Sequence, residues 1–597
     1  MKSQLKKYLP ALAYFYHHLR YKLLLLLTVS ILVGLLDGLG LAMFLPLLEL
    51  VANQDAQATT AQMGNLAFIL NGLQSLGLPL TLTVMLLTML VFFCLKGVAK
   101  YIETYLNTVY QQYFIRKIRV ENIDALTHYS YQSFVSADAG GIQNTLSGEM
   151  ERVVQAFRTY NRMLQQIVMV LSYMALAFLA NPEFAILVVI GGAVSNYLFS
   201  TLYKKTKALS GQLVQSNHAF QGLLLQKVAF FKYLKATGAI HLYAANLKAK
   251  VYEIEDRVRQ MGILNSIMQG VREPLMVGIV VMVILVQVNL MGGNFSTMIL
   301  SLLFFYRGLS SVMQVQTNYN QFLSFSGSLE NMSNFVANLK AYREEYGRQE
   351  SMPFANNIKL AHLSFGYQKG DLILRDINLN LNRNETLAIV GESGSGKTTL
   401  MNIISGLLLP TQGQMSIDGV NSRDLDMRSI QQRIGYITQE AVVFDDTVFN
   451  NVTFWAEKNE ANLQRFWTAL QQANIFEFVQ EQHDVEDARL GNNGINLSGG
   501  QKQRISIARE LYKEVDFLLM DEATSALDSE TERAIQVNID QLKGKYTILI
   551  IAHRLSTIRN ADRVVVLKQG KIEHMGSYQD LVDKSISFKR MVKLQEL

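Results

Sequence analysis

The sequence predicts a membrane α-helical bundle, six transmembrane helices with long cytoplasmic extensions, fused to a soluble α/β domain. Three observations carry this. Six apolar runs of membrane-crossing length lie before residue 330. Lysine and arginine are abundant in the connections on one side of those runs and missing from the other side. From about residue 355 short β-type runs alternate with helical ones, and one of them leads directly into a glycine-rich loop.

The 597 residues are too many for one ordinary domain, and the 49% that are apolar concentrate in the first half. A membrane span needs about 20 mostly apolar residues. The candidates are roughly 23–51, 78–101, 164–180, 184–202, 275–290 and 297–323. They must be helical, because a lipid-exposed backbone has to satisfy its own hydrogen bonds. The connections 52–77, "NPE" (181–183) and "MGGNFS" (291–296) contain no lysine or arginine. Lys2, Lys6, Lys7, Arg20, Lys22, Lys204, Lys205 and Lys207 lie on the other side. The positive-inside rule therefore places the N-terminus, and everything after residue 330, in the cytoplasm of a cell whose inner membrane holds the chain. No small-residue cleavage site follows the first run, which is longer than a signal peptide's apolar core and reads as a retained span.

The net charge of +6 is spread along loops, unlike a nucleic-acid-binding tract. The single cysteine, Cys94, excludes an intramolecular disulfide and reads as a packing residue of span 2. The two inside connections, about 102–163 and 203–274, read as helices that continue the spans. Their tips, near 129–141 and 217–234, are expected to touch the soluble domain. The domain limits are 1–330 for the membrane part, 331–354 for a polar linker and 355–597 for the soluble part. In the last, "LAIV" (387–390), "IGYIT" (434–438), "FLLM" (517–520), "TILIIA" (547–552) and "RVVVL" (563–567) suit strands of a parallel sheet buried on both faces.

"GESGSGKTTL" (391–400) follows the strand "LAIV" and matches the phosphate loop in its strand-to-helix context. Gly391, Gly394 and Gly396 let backbone N–H groups turn toward phosphate, with Ser393, Ser395 and Thr399 completing the ATP-binding set. Lys397 would reach the β- and γ-phosphates, and Thr398 would offer its hydroxyl to Mg²⁺. "FLLMDE" ends a buried strand on two acids: Asp521 suits Mg²⁺, and Glu522 is placed to polarise the attacking water.

With "LSGGQKQR" (497–504) and "LLMDEATSALD", these motifs resemble the nucleotide-binding domain of an ABC ATPase, over about residues 355–585. The resemblance implies that Tyr367 stacks on adenine, Gln439 senses Mg²⁺ and the γ-phosphate, Asp528 ends the D-loop, and His553 holds the γ-phosphate. It also implies that the signature residues Ser498, Gly499, Gly500 and Gln501 bind the ATP held by an opposite subunit. One set of motifs per chain then calls for a homodimer with two equivalent sites. Six spans ahead of one such domain resemble a half-size exporter of the type IV fold, whose two coupling loops would be the cytoplasmic tips.

The cargo is read from the membrane half. "LLDGLGLAMFLP", "SFVSADAGGIQNTLSGE" and "FFYRGLSSVMQVQTNYNQFLSFSGSLE" resemble the lipid-linked oligosaccharide flippases of the PglK type. That resemblance implies ATP-driven movement of an anionic lipid, with a multidrug or general lipid exporter and a peptide exporter as alternatives on the same fold. Intramembrane charges are functional candidates. Arg307 lies within span 6, Lys96 and Lys100 share a face near the inner end of span 2, and Arg272 opens span 5. Snorkelling would account for Lys96, Lys100 and Arg272 without any cargo. Asp37 falls in the outer half of span 1, among Gly34, Gly38 and Gly40, which permit close helix approach. It is expected to face the interior and pair with Arg307 in at least one conformation, or else to be a solvated acid in an outer cavity. The outer segment 52–77 is expected to form a short amphipathic helix.

Overall fold

The computed structural model describes residues 10–44, 46–47, 68–180, 182–291, 295–350, 353–367, 370–521, 529–552 and 558–596. The chain divides into two compact units. One comprises Met1–Tyr129 and Ala137–Arg343, the other Ser130–Ser136 and Glu344–Leu597.

The first unit is all helical. Its described elements are α1 (Pro10–Leu19), α2 (Tyr21–Ala42), α3 (Phe68–Ser75) and α4 (Leu82–Thr127). After α5 (Tyr131–Val135) come α6 (Ala139–Leu146), α7 (Gly148–Ala180), α8 (Pro182–Ala229), α9 (Phe231–Ala236), α10 (Ile240–Met291) and α11 (Phe295–Ala341). The six expected spans fall in α2, α4, α7, α8, α10 and α11. Among the described residues, Tyr21–Ala42, Leu82–Thr127, Ala139–Leu179 and Ile240–Val286 are long and apolar enough to cross a membrane. With 46 residues, α4 extends about 69 Å at the helical rise, against an apolar bilayer core of about 30 Å. The polar half of α4 thus continues the span as a helical stalk beyond the bilayer core. Pro182 opens α8 two residues after α7 ends; its fixed φ and missing N–H suit a first helical position. Part of the outer segment 52–77 is helical, as α3, with Leu70 and Leu73 buried; residues 52–67 lie outside the described set.

Aromatic packing joins α1, α4 and α7. Phe15 of α1 meets Phe114 of α4 at 5.6 Å and Phe157 of α7 at 5.3 Å, edge to face. Phe114 and Phe157 stack at 4.5 Å. All three are almost fully buried, and each such ring contributes about 2–3 kcal/mol by its removal from water. The stalk of α10 is tied to α8 by polar groups. Glu253 accepts from Ser216 at 2.9 Å and from Lys250 at 2.7 Å, and Arg257 reaches both Glu253 (2.6 Å) and Gln212 (2.7 Å). Hydrogen bonds from Lys250, then Ser216 and Arg257, pull the Glu253 carboxyl from 4.5 down to about 2. A lowered carboxyl stabilises the fold above the unfolded value and loses that effect as pH falls through the folded one. Protection factors of the amides around 212–216 and 250–257, taken relative to intrinsic exchange at each pH, are therefore expected to fall as pH drops from 4.5 toward 2.

Cys94 departs from expectation. It lies on the exposed face of α4 rather than in packing. The expected linker also begins later than residue 331, because α11 continues to Ala341. Its far end is docked on the second unit, where the Gly347 and Gln349 amides donate to Leu425 O (3.0 Å) and Asp424 O (3.2 Å).

The second unit holds two sheets. The antiparallel sheet contains β1 (Asn357–Phe365), β2 (Leu374–Asn382), β4 (Gln412–Ile417) and β5 (Val420–Asn421), in the order β2-β1-β4-β5. The other contains β3 (Thr386–Val390), β6 (Ile434–Ile437), β7 (Phe517–Asp521), β8 (Thr547–Ile551), β9 (Arg563–Lys568) and β10 (Lys571–Gly576), in the order β10-β9-β3-β8-β7-β6. The five strands expected from apolar runs, β3, β6, β7, β8 and β9, are its parallel members. They are buried on both faces, which is why their runs do not alternate. The helices α12 (Lys397–Ile404), α13 (Val448–Thr453), α14 (Glu460–Gln472) and α15 (Gly499–Tyr512) pack around them. Ser130–Ser136, within the expected tip at 129–141, belongs to this unit. Within it, Tyr131 packs on the apolar core and its amide donates to Glu344 at 3.3 Å.

Candidate functional site

The phosphate loop is set by its glycines. Strand β3 is wholly buried and ends at Val390, where the chain must turn sharply into α12. Gly391, Gly394 and Gly396 have φ of 157°, 78° and 103°, values that favour glycine. A Cβ on Gly391 would lie 2.1 Å from Leu567 O, so its lack of a side chain is needed for packing as well. Lys397 opens α12 and is 7% exposed; its ammonium donates to Gly391 O (2.9 Å) and Glu392 O (3.1 Å), curling over the loop. Ser395 is buried, and its hydroxyl has no hydrogen-bond partner among the described residues. A buried hydroxyl left unpaired is costly unless a ligand completes it. Together with the helix N-terminus, these groups fit a nucleotide phosphate.

Asp521 and Gln439 lie at the C-terminal ends of parallel strands, where open α/β sheets place ligands, whereas Tyr367 follows β1 of the antiparallel sheet. Asp521 closes β7, and Gln439 follows β6 in an exposed bend. Thr398 and Thr399 continue α12. Tyr367, 37% exposed, stands edge-on to Phe365 at 5.1 Å. Ser393 lies in the loop itself. Glu522, Asp528 and His553 lie outside the described residues.

Ser498 caps α15. Its hydroxyl accepts from the Gln501 amide at 3.3 Å, while the Gln501 side-chain oxygen accepts from the Ser498 amide at 2.8 Å. This reciprocal capping box satisfies two of the helix's orphan donors. Gln501 is thus engaged in holding Ser498, with Gly499 and Gly500 forming the first turn. The importance of Arg509 was not apparent in the sequence. Buried in α15, it donates to Asn451 O (2.6 Å), Val442 O (2.8 Å) and Asn451 Oδ1 (3.0 Å). It ties the signature helix to α13 and to the segment that follows Gln439. Five donors in one planar group make such a junction possible, and the bare sequence offers no sign of it.

In the membrane unit, Asp37 is buried and accepts from Lys96 of α4 and from Tyr173 of α7. The expected pairing with Arg307 is therefore replaced by another in this structure. Arg307 is exposed and makes no hydrogen bond or ion pair among the described residues. The pairing also corrects the depths. Counting residues puts Asp37 in the outer half and Lys96 near the inner end, whereas direct contact puts them at one level. Four residues along α4, Lys100 bonds Glu103 at 2.6 Å, and the buried Glu103 also accepts from Ser30 of α2. Ser30–Glu103 and Asp37–Lys96 are seven residues apart on each helix, running in opposite directions, so α2 and α4 pack antiparallel with matched polar rungs. Glu103 and Tyr173 were not foreseen, since neither position is marked by its neighbours in sequence.

The glycines of α2 act as expected, though toward α7 and α4. A Cβ on Gly34 would lie 2.7 Å from Ser172 Oγ, one on Gly38 1.9 Å from Leu176, and one on Gly40 3.2 Å from Phe93. Snorkelling does not describe Arg272. It is 5% exposed, and its guanidinium turns inward to bond Thr317 of α11.

Comparison with known proteins agrees with both halves. The ABC transporter profile matches residues 374–525, and the profile of the ABC transporter transmembrane region matches residues 23–313. The heterocyst differentiation ATP-binding protein HepA of Nostoc sp. is 31% identical over 76% of this chain and 74% of its own length. The ATP-dependent lipid A-core flippase of Ralstonia nicotianae is 27% identical over 84% and 85%, and that of Francisella tularensis 40% identical over 42% and 40%. The solved structure of a bacterial Atm1-family ABC exporter with ATP bound superposes with a TM-score of 0.77 at 20% identity, covering 97% of this chain and 99% of that one. The chain belongs to the ABC transporter family: it is a multi-pass half-transporter of the exporter fold, whose ATP hydrolysis is coupled to transport.

Proposed function

We propose that two copies of this chain carry an anionic, sugar-bearing lipid from the inner to the outer leaflet of the cytoplasmic membrane, a lipid-linked pyrophosphate oligosaccharide first among them. The observation that carries this reading is the distribution of charge in the membrane unit. Lys96 and Lys100 are matched by Asp37 and Glu103. Arg272 and Arg307 have no carboxylate partner among the described residues. A charge kept in a membrane domain without a counter-charge is costly, and such positions mark substrate paths. An apolar drug would not repay that cost, whereas a phosphate would. Relatives named as ATP-dependent lipid A-core flippases support a lipid cargo.

In this reading Lys397 and the loop amides would hold the β- and γ-phosphates, while Thr398, Gln439 and Asp521 would hold Mg²⁺, which would neutralise charge on the phosphate oxygens. Glu522 orients the water, and His553 holds the γ-phosphate. Ser498 completes the site of the partner copy, so ATP binding closes the dimer and hydrolysis reopens it. The tips at α5 and α9 would transmit that closure to the spans. The test is reconstitution in liposomes, comparing ATPase stimulation by polyprenyl-pyrophosphoryl sugars, plain phospholipids and cationic drugs. Stimulation several-fold above basal by the pyrophosphoryl sugars alone is the expected result; stimulation by drugs alone would sink the reading.

A further inference from the structure

Beneath the cationic character of the membrane unit lies a more specific arrangement. Arg272 Nη1 bonds Thr317, while Nε and Nη2 have no hydrogen-bond partner among the described residues. Three more buried atoms lie unpaired on the two helices beside it: Tyr203 Oη of α8, and Gln316 Oε1 and Asn320 Oδ1 of α11. Arg272, Tyr203, Gln316 and Asn320 are 5%, 7%, 5% and 3% exposed. Gln316 and Asn320 stand one turn apart, on either side of Thr317 in sequence, and the Gln316 amide nitrogen is occupied by Ser195 of α8 at 3.0 Å. Tyr203 and Arg272 are electrostatic neighbours. Native structures leave few such atoms unsatisfied, so a group of them on three packed helices requires an explanation.

The chemistry of the four groups defines what would satisfy them. Two guanidinium N–H groups in a planar fork match two oxygens of a phosphate, and a tyrosine hydroxyl can donate a third bond. The two amide oxygens do the opposite: they accept, and would repel a bare phosphate. They need hydroxyl donors next to the anion. Phosphate and hydroxyls side by side describe a phosphorylated sugar. Arg272 also lies three residues before the apolar run that begins at 275, about 4.5 Å at the helical rise, near the level of the inner headgroups.

We infer that Arg272, Tyr203, Gln316 and Asn320 form a recognition site for a glycosyl phosphate, taken from the inner leaflet. The inference rests on the flippase reading and deepens it by naming the headgroup chemistry and its contacts. Arg272 binds the phosphate, and Gln316 with Asn320 reads the sugar hydroxyls.

The experiment uses the full chain in vesicles, with ATPase stimulation titrated against four probes: polyprenyl-pyrophosphoryl-N-acetylglucosamine, phosphatidic acid, a neutral glycosyl diacylglycerol, and soluble glucose 1-phosphate. Wild type is expected to respond best to the first. Arg272→Lys keeps the charge and loses the fork, and should raise its half-saturating concentration about tenfold. Asn320→Leu should narrow the preference for the glycosyl phosphate lipid over phosphatidic acid without weakening the latter. Arg272→Met should keep or raise the thermal unfolding midpoint, since it removes an uncompensated buried charge; a structural arginine would lower it. If wild type responds to the first probe and Arg272→Lys responds with unchanged half-saturation, this site is wrong and the flippase reading stands. If glucose 1-phosphate stimulates as well as the lipid, the site stands and the lipid cargo falls. If no phosphate probe stimulates wild type, both fall.

Discussion

Replacing Asp37 by alanine is expected to destabilise the membrane unit by about 3 kcal/mol, because breaking one side of a buried ion pair strands the other. Lys96 would keep its charge between α2 and α4, and Tyr173 would lose its acceptor. Removing both charges together, as Asp37→Leu with Lys96→Met, should recover most of the loss, since well-packed apolar pairs often replace buried ion pairs without penalty. Exchanging them, as Asp37→Lys with Lys96→Asp, should likewise restore part of the stability lost by either single reversal. Pairing Asp37→Ala with Arg307→Ala should restore nothing. Thermal unfolding of the detergent-purified chain reads all of these. Equal rescue by Arg307 and Lys96 partners would show that the pair seen here is not the one that matters. Asp37 holds three helices by one carboxylate, so transport should fall further than stability alone predicts.

Lys397→Ala is expected to reduce ATP hydrolysis by about a hundredfold or more, since phosphoryl transfer depends almost wholly on positioning and charge stabilisation. Ser498→Arg should do the same for a different reason: a large cation would fill the helix N-terminus that the proposed function gives to the phosphate held by the second copy. The two defects are separable. In a dimer of one Lys397→Ala chain and one Ser498→Arg chain, one composite site carries both defects and the other carries neither. Mixed assembly should therefore recover ATP-dependent dimer closure that neither variant shows alone, measured by cross-linking or by trapped nucleotide. No recovery in the mixture, with mixed dimers present, would contradict signature residues acting across the dimer.

Much of the ATPase domain was legible because its chemistry is local. The turn after β3 requires positive φ at Gly394 and Gly396, and a phosphate loop must hold glycines, a lysine and a hydroxyl residue at fixed spacing. Doubly buried strands show as unbroken apolar runs, so all five expected parallel strands appear within a residue or so of their runs. The capping box at Ser498 is also a four-residue signal. Arg509 carried no such mark, because its partners Val442 and Asn451 lie about sixty residues earlier and only folding brings them together.

In the membrane half, composition marked the long apolar helices and their order, because bilayer thickness and the cost of unpaired backbone groups act on each helix alone. Which charge meets which was decided by tertiary structure. A single helix shows only how far along its axis Asp37 lies, and the axial rise says nothing about which neighbour stands at that level. The register between α2 and α4 brings Lys96 to Asp37 and Glu103 to Ser30. The facing of α10 and α11 turns Arg272 inward to Thr317 instead of outward to the headgroups. Sequence by itself determined that this chain is an ATP-driven membrane machine with costly charges in its spans. The packing of helices distant in sequence determined which of those charges are matched by a carboxylate among the described residues.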